Sequence, residues 1–158
     1  MASYKLLIIE DDPDVRRGLG IRLCAKGYKV HFATDAATGI SQAKQHHPDL
    51  IILDLGLPGD NGYAVLKALR ESRKLASIPV IVLSAWNRYA HEEQVRNAGA
   101  KIFCQKPIDD DELLGRIQTL LIPMALEHTT QLDRTAHRSQ VRHRRREDGN
   151  EDTNRRRR

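Results

Sequence analysis

The chain has 158 residues, 40% hydrophobic and 30% charged, which suits one domain of ordinary size with a buried core, plus an appendage. No apolar run approaches the roughly 20 residues that span a bilayer, and the first residues enter a strand-like segment without a leader pattern, so a cytoplasmic protein is expected. The net charge of +5 is uneven, because residues 123–158 hold ten arginines, no lysine and six acids.

In chain order, Lys5–Glu10 reads as a short apolar strand ending in acid. Asp12 then looks like an N-cap with Pro13 at the first helical position; Val15, Leu19 and Leu23 share one face, and Gly27 is a stop. Lys29–Ala33 reads as a strand, followed by a helix from Asp35 to His46 that stops before Pro48. Leu50–Leu53 is four large apolar residues bounded by turn formers, the pattern of a strand buried on both faces. A helix over 62–73 points Val65, Leu66 and Leu69 inward, and Val80–Leu83 repeats the buried-strand pattern, ending in Ser84. A polar helix spans Arg88–Ala98 and stops at Gly99. The last strand is Lys101–Cys104, and Asp109 with Glu112 forms a capping-box start for a helix through Leu121. Five strands alternating with five helices predict a doubly wound α/β fold with a parallel sheet.

In such a sheet the carboxyl ends of the strands lie along one edge, where ligands bind. Here those ends carry Glu10-Asp11, Asp54 and Ser84, and Lys106 follows the fifth. Clustered carboxylates repel, so they call for a divalent cation or a raised pKa. Oxygen ligands without His or Cys favour Mg²⁺ over zinc. A hydroxyl and an ammonium beside them suit a phosphoryl group, with Asp54 as a carboxylate nucleophile.

These residues carry a family resemblance. The Glu10-Asp11-Asp12 triplet, Asp54 within Asp-Leu-Gly-Leu-Pro, Ser84-Ala85 and Lys106-Pro107 occur in the order and approximate spacing of a response-regulator receiver domain, so residues 5–122 resemble the CheY-like kind. The resemblance implies a flavodoxin-like (βα)5 three-layer sandwich with a five-stranded parallel sheet. It implies that Asp54 accepts phosphoryl from the phosphohistidine of a sensor histidine kinase or phosphotransfer protein. Asp11 and Asp54 would bind Mg²⁺ directly, Glu10 would act through water, and the Gly56 carbonyl would be a further ligand. Ser84 and Lys106 would hold the phosphoryl oxygens. Phe103 matches the family's switch aromatic, which turns inward when the serine hydroxyl moves. The Lys106-Pro107 bond is cis in the family. Gly56 and Trp86, at positions that flank the path of attacking water in the family, suggest slow self-dephosphorylation; if Trp86 points outward on its loop, only Gly56 has an effect.

Plainer readings compete at some of these positions. Asp54 alone could begin a turn, Ser84 alone is an ordinary strand-end hydroxyl, and Lys106 alone is a solvated charge. Asp12 is read as a cap rather than a ligand. The seven histidines show no ligand spacing, and Cys24 and Cys104 are read as reduced, part-buried residues. The Arg-rich 123–158 stretch is read as a solvated tail, disordered or partly helical, too short for a helix-turn-helix output domain. The expected function is a stand-alone regulator, not an enzyme in its own right, signalling to a protein partner through the 88–122 face. It would be a monomer or a phosphorylation-dependent dimer. Rival readings are a nucleic-acid-binding transcriptional regulator using the basic tail, a phosphohydrolase, and a receiver cut from a longer regulator. The hydrolase usually adds a second acid two residues after the nucleophile, where this chain has Gly56.

Overall fold

A computed structural model describes residues 3–59 and 62–122. The elements alternate as β1 (Lys5–Ile9), α1 (Pro13–Ala25), β2 (Lys29–Ala33), α2 (Ala36–His46), β3 (Leu50–Leu53), α3 (Gly62–Glu71), β4 (Val80–Ser84), α4 (Arg88–Asn97) and β5 (Ile102–Gln105). A fifth helix, α5, runs over 110–122. The strands form one parallel sheet in the order β2-β1-β3-β4-β5. The Arg-rich 123–158 stretch, expected to be disordered or partly helical, lies outside the described residues.

Sequence chemistry sets the boundaries. The Asp12 carboxylate accepts from the backbone N–H groups of Asp14 and Val15 (2.9 and 3.1 Å), with Pro13 at the first helical position. Gly27 leaves α1 with φ +89°, a left-handed conformation that glycine adopts without steric penalty. α2 ends at His46 as expected, and His47, directly before Pro48, leaves it in a left-handed conformation at φ 44°. The Asp109 half of the expected capping box forms, accepting from the N–H groups of Asp111 and Glu112; the Glu112 carboxylate instead faces Arg116 at 3.4 Å.

Parallel register explains the core. Ala33, Ile9, Leu53, Val82 and Phe103 form one row across all five strands, and every one is buried. With Leu7, Ile51 and Val80 they pack in one cluster with Val65, Leu66 and Leu69 of α3 and Val95 of α4. Strand side chains alternate, so Leu6, Ile8, Ile52 and Ile81 point to the other face. The right-handed β1–β2 crossover puts α1 there, and α5, which follows the last strand, packs beside it through Arg22 and Asp110 (3.1 Å); Leu19, Leu23, Leu113 and Ile117 are buried. Gly62 lets α3 approach the chain after β3 closely, since a Cβ there would lie 2.5 Å from the Leu55 Cα. Among the described residues, no helix is long and apolar enough to cross a membrane. No disulfide joins Cys24 to Cys104; both were expected to be part-buried, but Cys104 is buried and Cys24 falls on the outer surface of α1 and is exposed.

Candidate functional site

The sheet brings Glu10 and Asp54 side by side. The Asp54 N–H donates to the carbonyl of Ile9, the last residue of β1 (3.0 Å), continuing the β1–β3 ladder one step past the end of β3. Both acids are nearly buried, at 3% and 9% exposure, whereas Asp11 is exposed. Carboxylate oxygens of Glu10, Asp11 and Asp54 lie within 4.8 Å of one another. Three acids so close are tolerable only if their charge is offset. Lys106 supplies part of the offset. Its Nζ lies 2.6 Å from Glu10 Oε2 and 3.3 Å from Asp54 Oδ2. Backbone donors supply more, Asp12 N–H to Glu10 Oε1 (3.1 Å) and Gly56 N–H to Asp54 Oδ1 (2.9 Å).

The balance is incomplete. Burial pushes the Glu10 carboxyl above its ordinary range; the Lys106 hydrogen bond pulls it back, and the Asp54 charge pushes it up again. At Lys106, burial works against the ammonium, but the hydrogen bond to Glu10 and the charges of Asp54 and Glu10 outweigh it, so its pKa is raised. Three carboxylates against one ammonium leave a surplus of negative charge in a partly dry site. Their donor atoms are hard oxygens, so the residues fit a Mg²⁺-like cation.

Ser84 ends β4 fully buried, and its Oγ accepts from the Trp86 N–H at 3.3 Å. The Lys106 N–H donates to the Ser84 carbonyl (2.8 Å), which ties the two strand ends together, and the Lys106-Pro107 bond is cis. Trp86 does not project outward. Its ring packs against the core beside Tyr63 (6.4 Å between centroids) and His91 (5.0 Å). Phe103 is already turned inward, 3% exposed, so an outward position from which it would switch is not the one seen here.

Two features escaped the reading of the sequence. Arg16, on the first turns of α1, donates from Nη1 to the Glu10 and Asp11 carbonyls (2.8 and 3.1 Å) and braces the acidic turn from behind. A basic residue five or six positions after an acidic strand end is the only signal, and it is weak. Tyr63 and His91 flank Trp86 from α3 and α4, and nothing in their spacing announces it.

The sequence profile of the response regulator receiver domain matches residues 6–118. The chain belongs to this family. Among relatives of this receiver, the DNA-binding dual master transcriptional regulator RpaA of Synechocystis is 38% identical over 130 residues. That match covers 79% of this chain and 54% of RpaA, so the receiver spans about half the length of this curated relative. A putative response regulator from Chloroflexus aurantiacus superposes with a TM-score of 0.73 at 30% identity, covering 77% of this chain and 99% of the other. The receiver domain of sensor histidine kinase PA1611 from Pseudomonas aeruginosa, with a magnesium ion coordinated in its active-site cleft, gives 0.70 at 26% identity, covering 76% and 98%. The fold is thus the CheY-like, flavodoxin-type sandwich of two-component receivers.

Proposed function

We propose that Asp54 is the phosphoryl acceptor of this two-component receiver. The observation that carries the reading is the Glu10–Asp11–Asp54 carboxylate cluster with Lys106 between Glu10 and Asp54. An Asp54 oxygen attacks phosphorus, the phosphorus–nitrogen bond to the donor imidazole breaks, and an acyl phosphate remains; the histidine leaves with the bond's electron pair and takes a proton from solvent. Charge on the equatorial oxygens is met by the Lys106 ammonium and the Ser84 hydroxyl, whose proton remains free to donate while its oxygen accepts from Trp86. Asp11 and Asp54 would hold Mg²⁺ directly, with Glu10 through water and the Gly56 carbonyl as a further ligand, and the ion would neutralise charge on the incoming phosphoryl group. The magnesium in the PA1611 receiver supports that assignment.

The chain is then a phosphoacceptor rather than an enzyme with an external substrate, because Gly56 offers no general acid. Phosphorylation adds about −1.5 to −2 charges at Asp54. Ser84, shifting toward them, would pull on Trp86 and Phe103 and alter the 88–122 face, which a protein partner reads. Tyr89, 96% exposed, is a ready contact there. A second reading has nucleic acid as the target of the Arg-rich tail, favoured by the DNA-binding description of RpaA. Steep salt dependence of DNA binding, lost on truncation near Pro123, would favour it over the protein partner.

The test is phosphotransfer from a phosphohistidine donor in Mg²⁺. One alkali-labile, hydroxylamine-sensitive phosphoryl group is expected on the parent and none on Asp54→Asn; equal labelling of both would overturn the reading. Decay of the label should also be slow, since Gly56 presents no side chain to orient water. Replacing Gly56 with Asn should hasten decay about tenfold, less than the roughly hundredfold or more of a full general base, because an amide can orient water but not take its proton.

A further inference from the structure

At the edge of the sheet opposite Asp54, the C-terminal ends of α3 and α4 and the 72–79 connection enclose a cleft of about 290 Å³. Half-buried Ile78, with the nearly buried Leu69 and Leu75 beneath it, forms its apolar floor, and the exposed Arg70, Arg96 and Lys101 surround it. Arg96 has an acid, Glu92 at 2.9 Å. Among the described residues, neither Arg70 nor Lys101 has a carboxylate within ion-pair reach; Arg70 donates instead to the Asn97 carbonyl (2.6 Å). That bond covers the negative end of α4 and joins the two helices that wall the cleft. Arg73 and Lys74, both exposed in the adjoining connection, extend the positive surface beyond the cleft itself.

We propose that this cleft docks an acidic segment of a partner protein, with an aliphatic side chain seated on the apolar floor and carboxylates meeting Arg70 and Lys101. A lone small anion is a poor fit, because exposed cations each contribute little and none of these is buried. An extended acidic segment collects several such contacts and also uses the floor. A nucleic-acid backbone would use the cations but leave the floor empty, and no aromatic side chain lines the cleft for base stacking. The segment would grip α3 and α4 together, at the end remote from the phosphoryl site. None of its contacts depends on Asp54.

The test uses the full chain, isotope-labelled for NMR, and a synthetic peptide of glutamate pairs alternating with leucine. Saturable shifts at Arg70, Gly99 and Lys101 are expected. The double variant Arg70→Glu/Lys101→Glu should weaken binding at least tenfold, and a lysine–leucine peptide should bind that variant better than it binds the parent. A leucine-to-serine peptide should bind the parent at least fivefold more weakly. A retained cooperative melt, lowered only slightly by loss of the Arg70–Asn97 bond, and unchanged phosphotransfer to Asp54 would show that the variant remains folded. Shifts confined to the arginines of 123–158, unchanged binding by the double variant, or displacement of the peptide from these residues by duplex DNA at lower concentration would each overturn the proposal.

Discussion

At the carboxyl edge of the sheet, Glu10 and Asp54 are nearly buried around the single ammonium of Lys106; at the opposite edge, Arg70, Arg96 and Lys101 are exposed around an apolar floor. Both edges concentrate one sign of charge, but they do so under different constraints. Buried charge is tolerated only where partners are placed to within a few tenths of an ångström, and Lys106, Asp12 N–H and Gly56 N–H meet that demand. Exposed charge is solvated, so cations can accumulate with little penalty and little fixed geometry. Chemistry that needs a poised group belongs at the first edge, and recognition by summed weak contacts belongs at the second.

Substitutions at the two edges should therefore differ in size. The largest effect is expected where the carboxyl edge is most tightly packed. Gly62→Ala would drive a Cβ to 2.5 Å from the Leu55 Cα and 2.9 Å from its carbonyl oxygen. Both are backbone atoms with little room to yield, so chemical denaturation should register a loss of about 3 kcal/mol. Next comes Lys106→Met, which leaves two nearly buried acids facing each other. Because the ammonium is itself 21% exposed, a loss of about 2 kcal/mol is expected, less than for a fully buried pair. Adding Glu10→Gln to that variant should restore part of it. Lys101→Met, at the other edge, should stay within about 0.5 kcal/mol; an equal loss at both lysines would erase the distinction between the edges.

The last effect is one of pH, at Asp35, the exposed N-cap of α2, away from either cluster. Thr38, through its backbone N–H and then its hydroxyl, holds the Asp35 carboxyl below the usual aspartate range. A folded-state pKa below the unfolded one means that the ionised cap stabilises fully above the usual value and is lost as pH falls through the lower one. The melting difference between the parent and Asp35→Ala should be flat above about pH 5 and shrink below about pH 4. A difference that grows with acid would reverse the assignment.

Much of this was legible from residue order. Buried parallel strands announce themselves as unbroken apolar runs, and Leu50–Leu53 is one, with all four residues buried. The Asp12-Pro13 start is equally plain, since cap chemistry is local. Asp54 and Glu10 could be brought together because both follow strands whose ends share an edge. What could not be read depends on side chains meeting across elements. Arg16 reaches back to two carbonyls, and Lys106 lies closer to Glu10 than to Asp54. The inward setting of Phe103, the Tyr63–Trp86–His91 contacts and the exposure of Cys24 likewise follow from how helices seat on the sheet. Periodicity assigns a face to a residue, but not the neighbours it meets.

The Trp86 amide bonded to Ser84 has an optical consequence. Trp86 is the single tryptophan of the chain, so its emission comes from one address. Tyr63 is near enough to pass excitation to the indole, and His91 is near enough to influence its emission. A change in the serine hydroxyl's partner therefore reaches an intrinsic fluorophore two residues along the chain, and unlabelled protein carries its own time-resolved gauge of the strand end.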